Sequence, residues 1–148
     1  RVAMKCMKEL GICWERLWPY VPHSTKGRQL GADKNAKNYR IKSYRRVSNS
    51  PSEVEAALYT DGPLLIGVEV FEQMFNATGG IIEMPRSSES SLGGHALNLV
   101  GYFRNYRNGK SYFKFQNSWS EEWGNRGFGF LPYDYMRKYC DDVWAVTI

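Results

Sequence analysis

The sequence predicts an α+β fold built on an antiparallel sheet, on three observations. One helical stretch near the start is followed by mostly strand-like runs with brief helices inserted, the order expected of that class. A polar turn joins two of those runs directly, as in a hairpin. The 148 residues are 43% hydrophobic and 24% charged, which excludes a disordered chain, and the length suits a single domain spanning 1–148.

Met4, Met7 and Leu10 recur at helical spacing, and Gly11 ends the helix they define. Trp18-Pro19-Tyr20-Val21-Pro22 breaks any helix, and His23 to Asn38 has the polar, Lys-rich make-up of a loop. Tyr39 to Val47 alternates as a strand does. Ser50-Pro51-Ser52-Glu53 fits a capping box with Pro51 at the first helical position, and Asp61-Gly62-Pro63 stops the helix. Leu64 to Val70 is a buried strand rich in branched residues. Phe71 to Phe75 is one helical turn, and 76–94 is a long loop. Strands are expected over His95–Phe103, Ser111–Asn117, Gly127–Leu131 and Val143–Ile148, with a short helix over Tyr133–Tyr139.

Charge is unevenly spread: residues 1–46 hold twelve Lys/Arg against three Asp/Glu, and the remainder eight against twelve. Such a split suits a nucleic-acid surface or a face covered by an acidic neighbour. The cations are scattered in loops among Pro, Gly and Asn, and no nucleic-acid module is visible, which disfavours the first. No stretch approaches the ~20 apolar residues of a membrane span. Three cysteines with no Cys-x-x-Cys pair fit neither a disulfide framework nor a zinc ribbon, and leave open a single bridge with one spare thiol.

Two histidines are present. His23, in its polar loop, has the setting of a plain surface residue. His95 follows Gly93-Gly94 and opens an apolar strand, and Asn117 ends the next one. A hairpin in symmetric register has its midpoint near Tyr106 and brings His95 and Asn117 to the same end of the sheet. An amide beside an imidazole accepts from one ring N–H and aims the other nitrogen outward, which is the orienting half of a nucleophile–base–orienter arrangement. Trp119, two residues on, is placed to shield that contact.

Gly93-Gly94-His95-Ala96, Asn117-Ser118-Trp119 and Trp123-Gly124-Asn125-Arg126-Gly127-Phe128 resemble the His and Asn regions of papain-like cysteine peptidases. Glu15 with Trp18-Pro19-Tyr20 is similar to the segment after their second helix, in a form closest to bacterial relatives, and Pro63-Leu64-Leu65-Ile66-Gly67 to their first long barrel strand. The likeness runs from about Leu10 to Ile148. It implies the barrel-like antiparallel half of the fold, with the N-terminal helical half largely missing. It implies His95 as general base and acid, Asn117 as its orienting partner, and Trp119 and Trp123 as their cover. Gly67 falls at the main side-chain pocket, and Gly94 offers backbone groups to a peptide or protein substrate. No metal or cofactor is implied. Gln116 and Ser120 depart from the family's commoner basic or branched residue and glycine.

The family nucleophile lies in a Cys-Gly-Ser/Ala-Cys-Trp/Tyr segment roughly 130 residues or more before the His, whereas 94 residues precede His95 and none carries it. Cys13 belongs to the Glu-x-x-Trp-Pro-Tyr element. Cys6, among Met4 and Met7, fits a buried structural thiol, and Cys140 sits beside two aspartates that oppose reactivity. The expectation is therefore the C-terminal portion of a cysteine peptidase, inactive alone, whose partner is the segment carrying the Cys. The alternatives are a non-catalytic homologue that binds peptide or protein and, more remotely, a basic nucleic-acid-binding domain.

Overall fold

A computed structural model describes residues 1–21 and 27–148. His23 lies outside the described residues. Chain contacts divide the molecule into two compact units, Arg1–Tyr44 with Val146–Ile148, and Arg45–Ala145.

In the first unit, α1 (Val2–Glu9) buries Met4 and ends at Leu10. Gly11 then turns at φ 88°, where a Cβ would lie 1.9 Å from the Ala36 carbonyl oxygen, so only glycine fits. Helix α2 (Ala32–Ala36) lies within the stretch expected to be a loop. Its first residue follows Gly31 with no side-chain cap, and what holds it is burial of Ala32 and Ala36, a tertiary effect invisible to local pattern. The Glu15 carboxylate accepts the Tyr20 backbone N–H at 2.6 Å, closing the loop around Trp18-Pro19. Cys13 lies between Ile12, whose N–H bonds the Tyr39 carbonyl, and Trp14, whose N–H bonds Asn35 Oδ1. Cys6 is exposed rather than buried, because α1 turns Met4, not Cys6, inward.

Strand β1 (Ser43–Val47) is shorter than the expected Tyr39–Val47. Helix α3 spans Pro51–Asp61. Its capping box does not form: Ser50 has the N-cap position, but its hydroxyl pairs with Ser52 Oγ at 2.9 Å. Strand β2 (Leu64–Val70) alternates buried and half-buried residues, as a strand with one face on the core does. A 3₁₀ turn at Glu72–Met74 follows. Strand β3 (Gly93–Arg107) and β4 (Lys110–Gln116) are joined at Asn108-Gly109, both at positive φ, the two-residue turn that matches strand twist. Next come β5 (Phe128–Pro132), α4 (Tyr133–Tyr139) and β6 (Cys140–Thr147).

The strand order is β1-β6-β2-β3-β4-β5, with β2–β3, β2–β6, β3–β4 and β4–β5 all antiparallel. The sheet is open, with β1 and β5 at its two ends. The core of the second unit gathers Val54 and Ala57 of α3 with Leu64, Ile66, Leu97, Leu99, Phe113, Phe115, Leu131 and Met136. No helix among the described residues is long and apolar enough to cross a membrane.

One charged side chain enters this unit's interior. Glu55, 8% exposed, receives Arg104 Nε at 3.2 Å, a second Arg104 hydrogen bond, and the Tyr133 hydroxyl. The Arg104 hydrogen bonds hold its carboxyl below the ordinary value of 4.5, against the opposing effect of burial, and Tyr133 adds to the lowering. A carboxylate whose folded value is depressed contributes stability above the unfolded value and loses it as pH falls through the folded one. The urea midpoint therefore falls as pH drops below about 4.5, and Glu55→Gln flattens that dependence. An unchanged slope in the variant would assign the acid sensitivity elsewhere.

Candidate active site

The site is built at one end of the β3–β4 hairpin, within the second unit. Asn98 pairs with Gln116 and Leu99 with Phe115, and the register slips between Leu99 and Gly101 and again between Phe103 and Arg107. These slips move the hairpin midpoint past Tyr106 to Asn108-Gly109, so His95 and Asn117 are not direct cross-strand partners. They meet through the Asn117 side chain, which reaches back to His95 from just past the end of β4, where the Asn117 N–H continues the β5 register to the Gly127 carbonyl at 2.9 Å. His95 itself is held in the sheet opposite Val68 of β2.

The Asn117 side-chain oxygen accepts the Ser118 backbone N–H at 2.8 Å. That bond decides which end of the amide faces inward, since an amide nitrogen there would set donor against donor. The same oxygen lies 2.8 Å from His95 Nε2. Nε2 therefore donates, and the neutral imidazole carries its proton there. Nδ1 is left as the basic nitrogen, free to take a proton from another group. Asn117 Nδ2 is buried with no hydrogen-bond partner among the described residues.

Aromatic rings surround the pair. Trp119 stacks on the His95 imidazole with centroids 4.9 Å apart and planes at 25°. Trp123 meets Trp119 edge to face at 5.5 Å, and its Nε1–H bonds the Met74 carbonyl at 2.9 Å. Trp123 rests on Phe115, whose ring lies over Gly129, where a Cβ would come within 2.3 Å of Phe115 Cζ. Gly94 is exposed at the start of β3, opposite Glu69. Gly67 is half-buried beside Val68, opposite Ala96 and Asp142, and a Cβ there would lie 3.7 Å from Asp142 Cβ. Neither His95 nor Asn117 lines the cavities of about 410 and 560 Å³ elsewhere on this unit.

Ser120 sits between the two tryptophans at φ 93°, a region that disfavours side chains by roughly 1–2 kcal/mol. A glycine there relieves this strain but adds freedom to the unfolded chain, worth about 0.4–1 kcal/mol. Ser120→Gly is expected to raise stability by up to about 1.5 kcal/mol, read from the urea midpoint. A destabilised variant would show that the Ser120 hydroxyl, which accepts the Glu122 N–H at 3.4 Å, outweighs the strain.

Among the cysteines, Cys140 is buried in the core and its thiol is pushed up to about 12, chiefly by burial. The neighbouring Asp141 and Asp142 add to this, and a backbone hydrogen bond at Asp142 opposes it. It is neither ionised nor accessible at neutral pH. No cluster of three or more metal-ligating side chains occurs among the described residues. The sequence did not mark the Met74 carbonyl or Phe75 as parts of this neighbourhood. Both come from the 3₁₀ turn and reach the tryptophans only through folding.

An open antiparallel sheet with a His–Asn pair under tryptophans defines a class, and comparison agrees with it. The profile of the papain family of cysteine proteases matches residues 1–141, and the chain belongs to that family. A peptidase C1-like protein of Acanthamoeba polyphaga mimivirus is 28% identical over 160 residues, covering 99% of this chain and 50% of that protein. A gut-specific cysteine proteinase of Caenorhabditis elegans is 27% identical over 118 residues, covering 80% and 34%. Xylellain, a cysteine protease from Xylella fastidiosa, superposes with a TM-score of 0.84 at 28% identity, covering 97% of this chain and 59% of that one. Procathepsin B of Trypanosoma congolense shares the fold, with a TM-score of 0.72 at 21% identity over 99% of this chain and 51% of that one. The chain spans half or less of the length of these two curated relatives.

Proposed function

We propose that this chain supplies the general base, His95, and its orienting partner, Asn117, to a cysteine-peptidase site whose nucleophile is carried by sequence outside it. The observation that carries the reading is the Asn117 oxygen shared between Ser118 N–H and His95 Nε2. It leaves Nδ1 as the nitrogen that exchanges a proton with a thiol.

In the proposed reaction the thiol proton passes to Nδ1, giving a thiolate–imidazolium pair. The thiolate forms a bond to the carbonyl carbon of the peptide. The C–N bond breaks as Nδ1–H protonates the departing amine, leaving a thioester. His95 then takes a proton from water, whose oxygen attacks the thioester carbon, and returns that proton to the departing sulfur. Trp119 and Trp123 keep water from the His95–Asn117 bond. Gly94 offers main-chain groups to the substrate, and Gly67 leaves room for one of its side chains.

The chain alone, with Cys140 buried and no Cys-Gly-Ser/Ala-Cys-Trp/Tyr segment, is expected to leave a fluorogenic peptide uncut. The product of the complete reading frame is expected to cut it, and to lose that activity when an iodoacetamide-type alkylating agent blocks its nucleophile. Peptide binding without turnover in that product would instead make the chain a non-catalytic peptide binder. Cleavage by the 148-residue chain itself would contradict the division of roles.

A further inference from the structure

We propose that Phe75 is a positioning residue for His95, acting through Trp119. Its functional meaning rests on the reading of His95 as general base; the stack that places it does not. Phe75 is 52% exposed, so core burial does not account for its orientation. Its ring lies parallel to Trp119, with centroids 5.0 Å apart and planes at 3°. Trp119 in turn stacks on His95. The indole thus contacts both rings, and it is itself only half-buried. Trp123 meets the indole edge to face and the core backs it, so Phe75 and His95 are the two rings that lie stacked on it.

The segment that presents Phe75 is anchored independently. Met74 is 1% exposed in the core, its carbonyl accepts Trp123 Nε1–H, and its N–H and that of Phe75 close the 3₁₀ turn on Phe71 and Glu72. One short turn therefore holds Trp123 by a hydrogen bond and Trp119 by a ring stack. An exposed aromatic held this firmly is a strut: it keeps the indole flat on the imidazole and limits the access of water to the His95–Asn117 bond. A plain surface aromatic would leave His95 indifferent to its removal.

The test is ¹H–¹⁵N spectroscopy of the histidine ring in this chain, with His95→Ala assigning the signals. In Phe75→Ala, the His95 ring protons are expected to lose the upfield displacement imposed by the Trp119 ring current. The Nε2–H proton should exchange with water roughly two- to tenfold faster, the factor that a stacked aromatic pair is worth. Phe75→Tyr restores both, and Phe75→Leu, which keeps apolar bulk without a ring, does not. The urea midpoint moves by no more than the loss of one stacked pair allows, which separates positioning from a general loss of structure. Unmoved ring signals and exchange in Phe75→Ala would overturn the proposal, as would a Leu variant indistinguishable from Tyr. Peptide cleavage surviving His95→Ala would remove the general-base reading and leave these spectra as they are, so the two failures are distinguishable.

Discussion

His95→Ala in the product of the complete reading frame is expected to lower the cleavage rate of a fluorogenic peptide on the order of 10²–10⁴-fold. The substitution removes the group proposed to take the thiol proton and return it to the leaving amine, so both halves of the reaction suffer. Asn117→Ala is expected to cost less, on the order of 10²-fold or below, because the imidazole remains but turns freely. In that variant Nε2 loses its acceptor, which is the same oxygen that Ser118 N–H holds in place. The order matters more than either figure. A loss at Asn117 exceeding that at His95, or a loss below tenfold at His95, contradicts the assigned roles.

The second large effect is structural. Phe115→Ala is expected to destabilise the chain by about 3–5 kcal/mol, the range for removing a fully buried aromatic ring. Phe115 is 0% exposed, pairs with Leu99 and Gly129 across two ladders, and supports Trp123. Its ring fills the space that Gly129 leaves open, and a glycine has no side chain to move into the cavity. Domains have only about 5–15 kcal/mol of stability in total, and a shift of this size is visible in the urea midpoint. The variant also leaves Trp123 without its floor, so the His95 ring signals should broaden before the chain unfolds. A loss under about 1 kcal/mol would mean that this ring is not part of the close-packed core.

Elements whose limits are set by local chemistry were legible in the sequence. The branched run Leu64–Val70 and the segment Tyr133–Tyr139 have the expected limits. The extended reading of Tyr39 failed because that residue belongs to a packed loop, with its ring against Trp14 and its carbonyl accepting from Ile12. The five-residue helix Ala32–Ala36 is too short for a periodic signal. Ser50 shows the limit of capping rules: the right residues stand at the right spacing, yet a neighbouring hydroxyl takes the hydrogen bond.

The encounter of His95 with Asn117 was legible because hairpin ends are encoded by linear spacing, and register slips of a residue or two do not change which end they share. The family motifs made both residues stand out as well. The supporting shell was not legible. Phe75 against Trp119, and Glu55 between Arg104 and Tyr133, join residues far apart in the chain through contacts that only the folded sheet creates. Ser120 was visible as a departure from a commoner glycine, but the strain it carries needed the backbone angle.

The central claim, that Asn117 holds His95 with its proton on Nε2 and Nδ1 free, is tested most directly by the ring-nitrogen spectrum of the wild-type chain beside Asn117→Ala. A slowly exchanging Nε2–H proton is expected in the wild type, with an unprotonated Nδ1 in the neutral ring, and the slow exchange is lost in the variant. A protonated Nδ1 in the neutral ring, or an Nε2–H signal equally protected in Asn117→Ala, would contradict it.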